Sequence, residues 1–209
     1  MSIVSNSQDT CARLLAAAVE VFTEVGYRNA TLRAICLRAG ANNAAINYHF
    51  HDKEHLYLAV IEHAIQTMRE HRSCHEPDPS ATAVERLRTF VHSMLTDLLG
   101  EKPSWLLKLM AWELAEPTAG LDLLVEKAIA PFDAGVASIV RELAGPSATE
   151  QEVSDCASSI IAQCHHYHHG RAVVHRLGWY KTYDPAVIEH LTDHITRFSL
   201  AGIRALARR

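Results

Sequence analysis

Between residues 22 and 57 the chain is punctuated so closely that only short helices joined by tight corners fit: FTEVGYRNATLRAICLRAGANNAAINYHFHDKEHLY. Gly26 stops a preceding apolar helix. Thr31 can cap a second helix through its hydroxyl, and Ala39-Gly40-Ala41 makes a corner after it. Asn42 can cap a third helix that closes in Tyr48-His49-Phe50. Two short helices across a corner, packed on a longer one, are the layout of a helix-turn-helix, whose second helix enters the DNA major groove. The rest of the chain is then expected to sense a signal and to pair two such readers.

No segment shows sustained period-two alternation, so an all-α fold is predicted. Helix 1 is expected from about Asp9 to Val25, with Leu14, Leu15, Ala18, Phe22 and Val25 on one stripe. Ile35 and Ala39 should face Phe22, and Ile46 should be the buried contact of the third helix. Asp52 can cap a fourth, Lys53 to about His71, with Leu56, Val60, Ala64 and Met68 inward. The prolines of Glu76-Pro77-Asp78-Pro79-Ser80 mark a loop. Helix 5 is expected over Ala81–Leu99 and helix 6 over Trp105–Ala115. Helix 7 is expected from Leu121 to Gly145, interrupted or kinked by Pro131. Ser147 with Glu150, or Thr149 with Glu152, fits a capping box for helix 8, which is read through to about Arg176. Asp184-Pro185 opens helix 9, which runs to about Ala207. The division by role is residues 1–55 as the helix-turn-helix DNA-binding domain and 56–209 as the effector-binding and dimerisation domain. It falls inside helix 4, so that one shared helix couples the two.

Charge qualifies the DNA reading. Of 20 basic and 24 acidic residues, residues 1–60 hold Arg13, Arg28, Arg33, Arg38 and Lys53 against Asp9, Glu20, Glu24, Asp52 and Glu54. The reader segment is therefore neutral and the body carries the net charge of -4. Non-specific affinity follows the number of neutralised phosphates, so it is expected to be weak. Hydroxyls, amides and helix N-termini can still hold phosphates. The five cysteines are odd in number and form no C-x-x-C, which favours a reducing cytoplasm over a disulfide frame. No apolar run spans a bilayer and the N-terminus lacks a secretory pattern, so no membrane partner is expected.

The ordered set Phe22 and Gly26, Thr31-Leu32, Ile35, Ala39-Gly40, Tyr48-His49-Phe50, Lys53-Glu54 and Leu56-Tyr57 resembles the TetR family of transcriptional regulators over Thr10 to Leu58. Where many members have Gly-Val-Ser after the alanine-glycine corner, this chain has Ala41-Asn42-Asn43. Asparagine still caps, but the base-reading surface is shifted. The C-terminal part resembles the CecR-like branch through Trp112-Glu113, Glu116-Pro117-Thr118, Pro131, Gln163-Cys164-His165 and Gly170-Arg171-Ala172-Val173. The resemblance implies an N-terminal three-helix DNA-binding domain and a C-terminal helical bundle for ligand binding and dimerisation. It also implies a homodimer through helices 8 and 9, an effector pocket enclosed by helices 4 to 7, and repression of a palindromic operator.

The DNA-binding surface is expected at Thr31, Arg33, Asn42, Asn43, Ala44, Asn47, Tyr48, His49 and Lys53. Asparagine pairs bidentately with adenine and alanine can touch a thymine methyl; Tyr48, His49, Lys53 and Thr31 suit phosphates. Asn42 and Asn43 could equally serve as caps, and Tyr48 as packing. Trp105, Met110, Trp112, Phe132, Tyr167 and His168 are candidates to line a pocket for an unidentified small molecule. Glu113, if buried, needs a partner, which an effector could supply. His165, His166, His168 and His169 crowd helix 8, and His71, Cys74 and His75 repeat the spacing. Two such histidines can share zinc only with further ligands, and none is evident nearby in sequence, so no metal and no cofactor is predicted. No Gly-rich phosphate loop, G-x-S-x-G, H-E-x-x-H or Glu-x-x-His pair occurs, so no enzyme is expected. The alternatives are a metal- or redox-responsive switch on the same scaffold, and a helical interaction protein with a degenerate reader.

Overall fold

Short-range capping chemistry sets most of the helix ends. The computed structural model describes residues 3–72, 80–100 and 104–206, with side chains within 8–70, 80–100 and 105–206. Among these residues the fold is all-α: α1 Ile3–Asn29, α2 Leu32–Ala39, α3 Asn43–Phe50, α4 Lys53–Arg72, α5 Ala83–Leu99, α6 Ser104–Ala115, α7 Ala119–Leu124, a π-helical turn Val125–Ile129, α8 Ala130–Ala144, α9 Glu150–His169, α10 Arg171–Arg176 and α11 Pro185–Leu206. The chain divides into two compact units, Met1–Glu70 with Pro103–Ile129, and His71–Lys102 with Ala130–Arg209. Compactness thus groups the chain differently from the division by role. The α4 helix stays with the reader through Glu70, and α6 and α7 return to it.

In the first unit α1 begins earlier than expected and is broken at Gly26, whose φ of 75° and ψ of 169° suit only glycine. A Cβ there would also come within 3.0 Å of the Trp112 ring. Leu14, Ala18 and Phe22 of α1 are buried with Ile35 and Ala39 of α2, Ile46 of α3 and Leu56, Val60 and Ala64 of α4. Val25, expected on that stripe, is exposed instead. The ring of Phe22 meets Tyr57 edge-on at 4.7 Å, and Tyr27 lies 4.8 Å from Tyr57. Helix α6 packs along α1, where the Trp112 indole donates to the Thr23 carbonyl at 3.2 Å.

The kink expected at Pro131 is a π-helical turn just before it. Proline has no N–H to offer the carbonyl four residues back. That carbonyl, of Lys127, accepts from the Arg69 guanidinium at 3.0 Å instead.

The second unit is a bundle of α5, α8, α9 and α11. On α11 the buried Ile188, Leu191, Thr192, Ile195, Thr196, Ser199, Leu200 and Ile203 recur three and four apart, the stripe of an amphipathic helix. They meet Leu87, Val91 and Leu95 of α5, Val136 and Val140 of α8, and Val153, Ala157 and Ile160 of α9. Thr82 with Glu85 and Thr149 with Glu152 form full capping boxes at α5 and α9, and the Asp184 carboxylate accepts from the Val187 N–H at 3.0 Å to cap α11. Predicted helix 8 does not run through to Arg176. It ends at His169, Gly170 bonds back to the His166 carbonyl at 2.8 Å, and the short α10 follows.

Candidate nucleic-acid interface

The corner between α2 and α3 is held from several directions. Gly40 is left-handed at φ 60°. Its N–H donates to the Leu37 carbonyl at 3.4 Å, and the Ala41 N–H donates to the Cys36 carbonyl at 3.0 Å, which together make a Schellman ending. The Arg13 guanidinium reaches across from α1 and donates to the Ala39 carbonyl at 2.9 Å. Thr31 and Asn42 cap α2 and α3 by accepting from the N–H groups of Ala34 at 3.2 Å and Ala45 at 3.0 Å. After α3 the Asp52 N–H donates to the Phe50 carbonyl at 2.9 Å. His51 sits between them at φ 69° and ψ -53°, a γ-turn of the rare, strained hand.

The result is a helix with one side in and the other out. Ile46 is wholly buried, while Asn42, Asn43, Ala44 and Asn47 are exposed, Tyr48 is 77% exposed, and His49 is half-buried against the Tyr48 ring. The asparagines differ. Asn42 spends its carbonyl oxygen on the cap, and Asn43 accepts from the Cys36 thiol at 3.2 Å. The Asn47 side chain makes no hydrogen bond among the described residues, so both halves of its amide are free for a base edge.

The positive charges of the reader are mostly spent within it. Arg13 pairs with Asp9 at 3.2 Å, Arg38 with Glu24 at 2.9 Å and Glu20 at 3.4 Å, and Arg28 with Glu116 at 3.4 Å. Lys53 lies over the Tyr27 ring at 4.5 Å and donates to the Arg28 carbonyl at 3.4 Å. Burial holds its pKa below the ordinary lysine value. Arg33 is exposed and has no ion pair among the described residues. Leu37, one turn further along α2, is 84% exposed.

Comparison with known proteins agrees with this geometry. The tetR family of bacterial regulatory proteins matches residues 14–60, and the C-terminal domain of the HTH-type transcriptional dual regulator CecR matches residues 83–203. The chain belongs to the TetR family of transcriptional regulators, in its CecR-like branch. It is a DNA-binding transcriptional regulator, not an enzyme. It is 28% identical over 195 residues to the dual regulator CecR of Shigella flexneri, covering 88% of this chain and 86% of that one. Over 72 residues it is 38% identical to the transcriptional repressor AcnR of Corynebacterium diphtheriae, covering 34% and 38% of the two chains. The solved structure of the flavonoid-responsive regulator FrrA shares the fold, with a TM-score of 0.69, 19% identity, and coverage of 92% of this chain and 95% of that one.

Within this TetR-type framework the proposed pocket residues fall in both units. In the first, Trp105 stacks on His63 at 5.7 Å, Met110 is half-buried, and Trp112 packs on α1. Glu113 is 1% exposed. Its carboxylate accepts from the Tyr57 hydroxyl, the Thr118 N–H at 3.2 Å and the Thr118 hydroxyl at 2.9 Å. The partner that the sequence left open for an effector is therefore also supplied by the chain. Burial, then the hydrogen bond and charge of Glu113, raise the Tyr57 phenol well above 10.0. In the second unit Phe132 meets Phe90 at 4.7 Å, Tyr167 is half-buried, and the His168 Nδ1–H donates to the Leu98 carbonyl at 2.9 Å.

The histidine cluster is a set of ring contacts. His165 stacks on His169 at 5.3 Å, and burial, followed by His169 and His168, lowers the pKa of His165. Among the described residues no three His, Cys, Asp or Glu side chains converge as a metal would need. The side chains of His71, Cys74 and His75 lie outside the described residues. No described helix is long and apolar enough to cross a membrane. One contributor escaped the sequence reading: Arg13 locks the corner from 26 residues away, which no local signal announces.

Proposed function

We propose that the chain is a ligand-responsive repressor that binds a palindromic operator as a homodimer. The outward side of α3 carries this reading: Asn43, Ala44, Asn47 and Tyr48 are exposed, while Ile46 is buried and Ala45 and Phe50 pack against the core. Two copies of α3 would enter successive major grooves about 34–36 Å apart. Asn47 and Asn43 would read base edges, with Ala44 against a thymine methyl. Tyr48, His49, Arg33, Lys53 and the hydroxyl of Thr31 would hold phosphates, and Asn42 would keep the N-terminus of α3 open to one. Predicted helices 8 and 9, which are α9 with α10 and α11, would supply the pairing surface. In support, Phe198 on α11 is 65% exposed. It borders a shallow depression of about 300 Å³ with His166, Tyr167 and His194. An effector held by Trp105 and Met110 of the first unit, or one held by Phe132, Tyr167 and His168 of the second, would release the operator by preferring the unbound state. Coupling of about 1–3 kcal/mol is the usual scale.

Selection of bound sites from random DNA by the full-length protein tests the reading, followed by affinity measurements on the recovered site. Tyr48→Ala should weaken binding to all DNA, and Asn47→Ala should relax sequence choice at one position per half-site. Recovery of no palindromic site, or equal and sequence-independent losses from both variants, would overturn it.

A further inference from the structure

Between Gly170 and Asp184 the chain places Arg171, His175, Arg176 and Lys181 with no acidic residue among them, in a protein whose net charge is -4. These four side chains line one open cavity of about 640 Å³, walled also by Tyr180 and Tyr183. Elsewhere in the same unit three arginines meet carboxylates: Arg86 with Glu142, Arg88 with Glu189 and Asp193, Arg141 with Glu150. Among the described residues no carboxylate lies within ion-pair distance of Arg171, Arg176 or Lys181. Arg171, Arg176 and Lys181 are exposed, so water and salt screen their mutual repulsion and leave their donors open to an anion.

The cluster is also held in place. The Arg171 guanidinium lies over the Tyr183 ring at 5.2 Å, a cation–π contact. The Tyr183 hydroxyl donates to the Tyr167 carbonyl at 3.3 Å, which ties that ring to α9. Arg176 spends one N–H on the Ala172 carbonyl at 3.2 Å and keeps the rest of its donor fork. Burial lowers the pKa of His168, against the hydrogen bond to Leu98 that raises it, and His169 and Arg171 lower it by less. A planar fork matches carboxylate or phosphate oxygens in pairs, and two tyrosine rings suit a flat or apolar body.

We propose that this cavity binds a small organic anion, a carboxylate or phosphate carried on an aromatic or apolar body, with Arg171 and Arg176 taking the anionic group and Tyr180 the body. The site involves no residue of the DNA reader, so its test uses no DNA and can fail independently of the operator reading.

The full-length protein is titrated calorimetrically, at fixed ionic strength, with benzoate, phenyl phosphate, inorganic phosphate and the neutral benzyl alcohol. Benzoate or phenyl phosphate should bind saturably, at least tenfold more tightly than benzyl alcohol, and phenyl phosphate more tightly than inorganic phosphate. Arg171→Gln and Arg176→Gln should each weaken binding about tenfold. Arg141→Gln, which removes the same charge from α8 where Glu150 already pairs it, should leave it unchanged. Lys181→Gln gives a second reading from a side chain outside helix α10 and should lower the affinity for phenyl phosphate. Absence of saturable binding by either aromatic anion, equal binding of benzyl alcohol, or equal binding of inorganic and phenyl phosphate overturns the proposal. So does a wild type that takes up neither anion while Arg171→Gln converts dimer to monomer, because the cations would then be facing a second copy of the chain.

Discussion

Salt is the perturbation that tests the reader's electrostatics most directly. Each neutralised phosphate releases counterions, and log K falls against log salt with a slope of about -0.9 per contact. In the reader Arg13, Arg28 and Arg38 are committed to carboxylates. Arg33 is free, and Lys53 is held only by a ring and a carbonyl. Two contacts per protomer and four per dimer give a slope of about -3.6, or roughly a 150-fold loss of affinity between 50 and 200 mM salt. Removing Arg33 from both protomers should bring the slope to about -1.8 and the loss over the same range to roughly 12-fold. Removing Arg38, already neutralised by Glu20 and Glu24, should leave the slope unchanged. The assay is fluorescence anisotropy on the selected operator at pH 8, where an ordinary imidazole carries little charge. A wild-type slope as steep as about -8, or an Arg38 variant that flattens the slope as much as the Arg33 variant does, would refute the reasoning.

Three further outcomes follow from the geometry. Tyr57→Phe keeps the ring against Phe22 but removes a donor from the buried Glu113 carboxyl, so it should cost about 2 kcal/mol in urea unfolding. The native state also keeps a phenol proton that the unfolded chain releases near 10.0. Wild-type stability should therefore fall as pH rises past that value, and fall less steeply in Tyr57→Phe. His51→Gly should relieve the γ-turn at φ 69° and raise stability by about 1 kcal/mol after the entropy glycine adds to the unfolded chain. A loss instead would show that the His51 ring, 5.8 Å from His55, contributes more than the strain costs. Burial pushes the Cys164 thiol up to about 12, so mass spectrometry after treatment with a thiol reagent at pH 8 should find it unmodified until the protein unfolds. Ready oxidation of native Cys164 would restore the redox switch as a reading.

Which parts of this molecule were legible in the sequence depends on how far each interaction reaches along the chain. Thr31, Asn42, Asp52 and Thr149 act on N–H groups three residues on, so the residue type and its place before an apolar run suffice. Gly26 and Gly40 announce themselves through conformations other residues resist. Gly170 gives no such signal, because glycine inside a helix costs only about 1 kcal/mol, too little to distinguish a break from a tolerated residue. The pairing of Glu113 with Tyr57 spans 56 residues and that of Arg13 with Ala39 spans 26, and no periodicity encodes either. The charge count shows the same limit. Five basic against five acidic residues in 1–60 correctly warns of a reader without an excess of charge, but it cannot say which cations are spent. That is decided by where Glu20, Glu24 and Glu116 fall once α1 and α6 pack together, which leaves Arg33 facing outward and Lys53 turned back onto Tyr27. On the proposed reading, the salt dependence of operator binding should follow those two side chains and not the net charge of the segment.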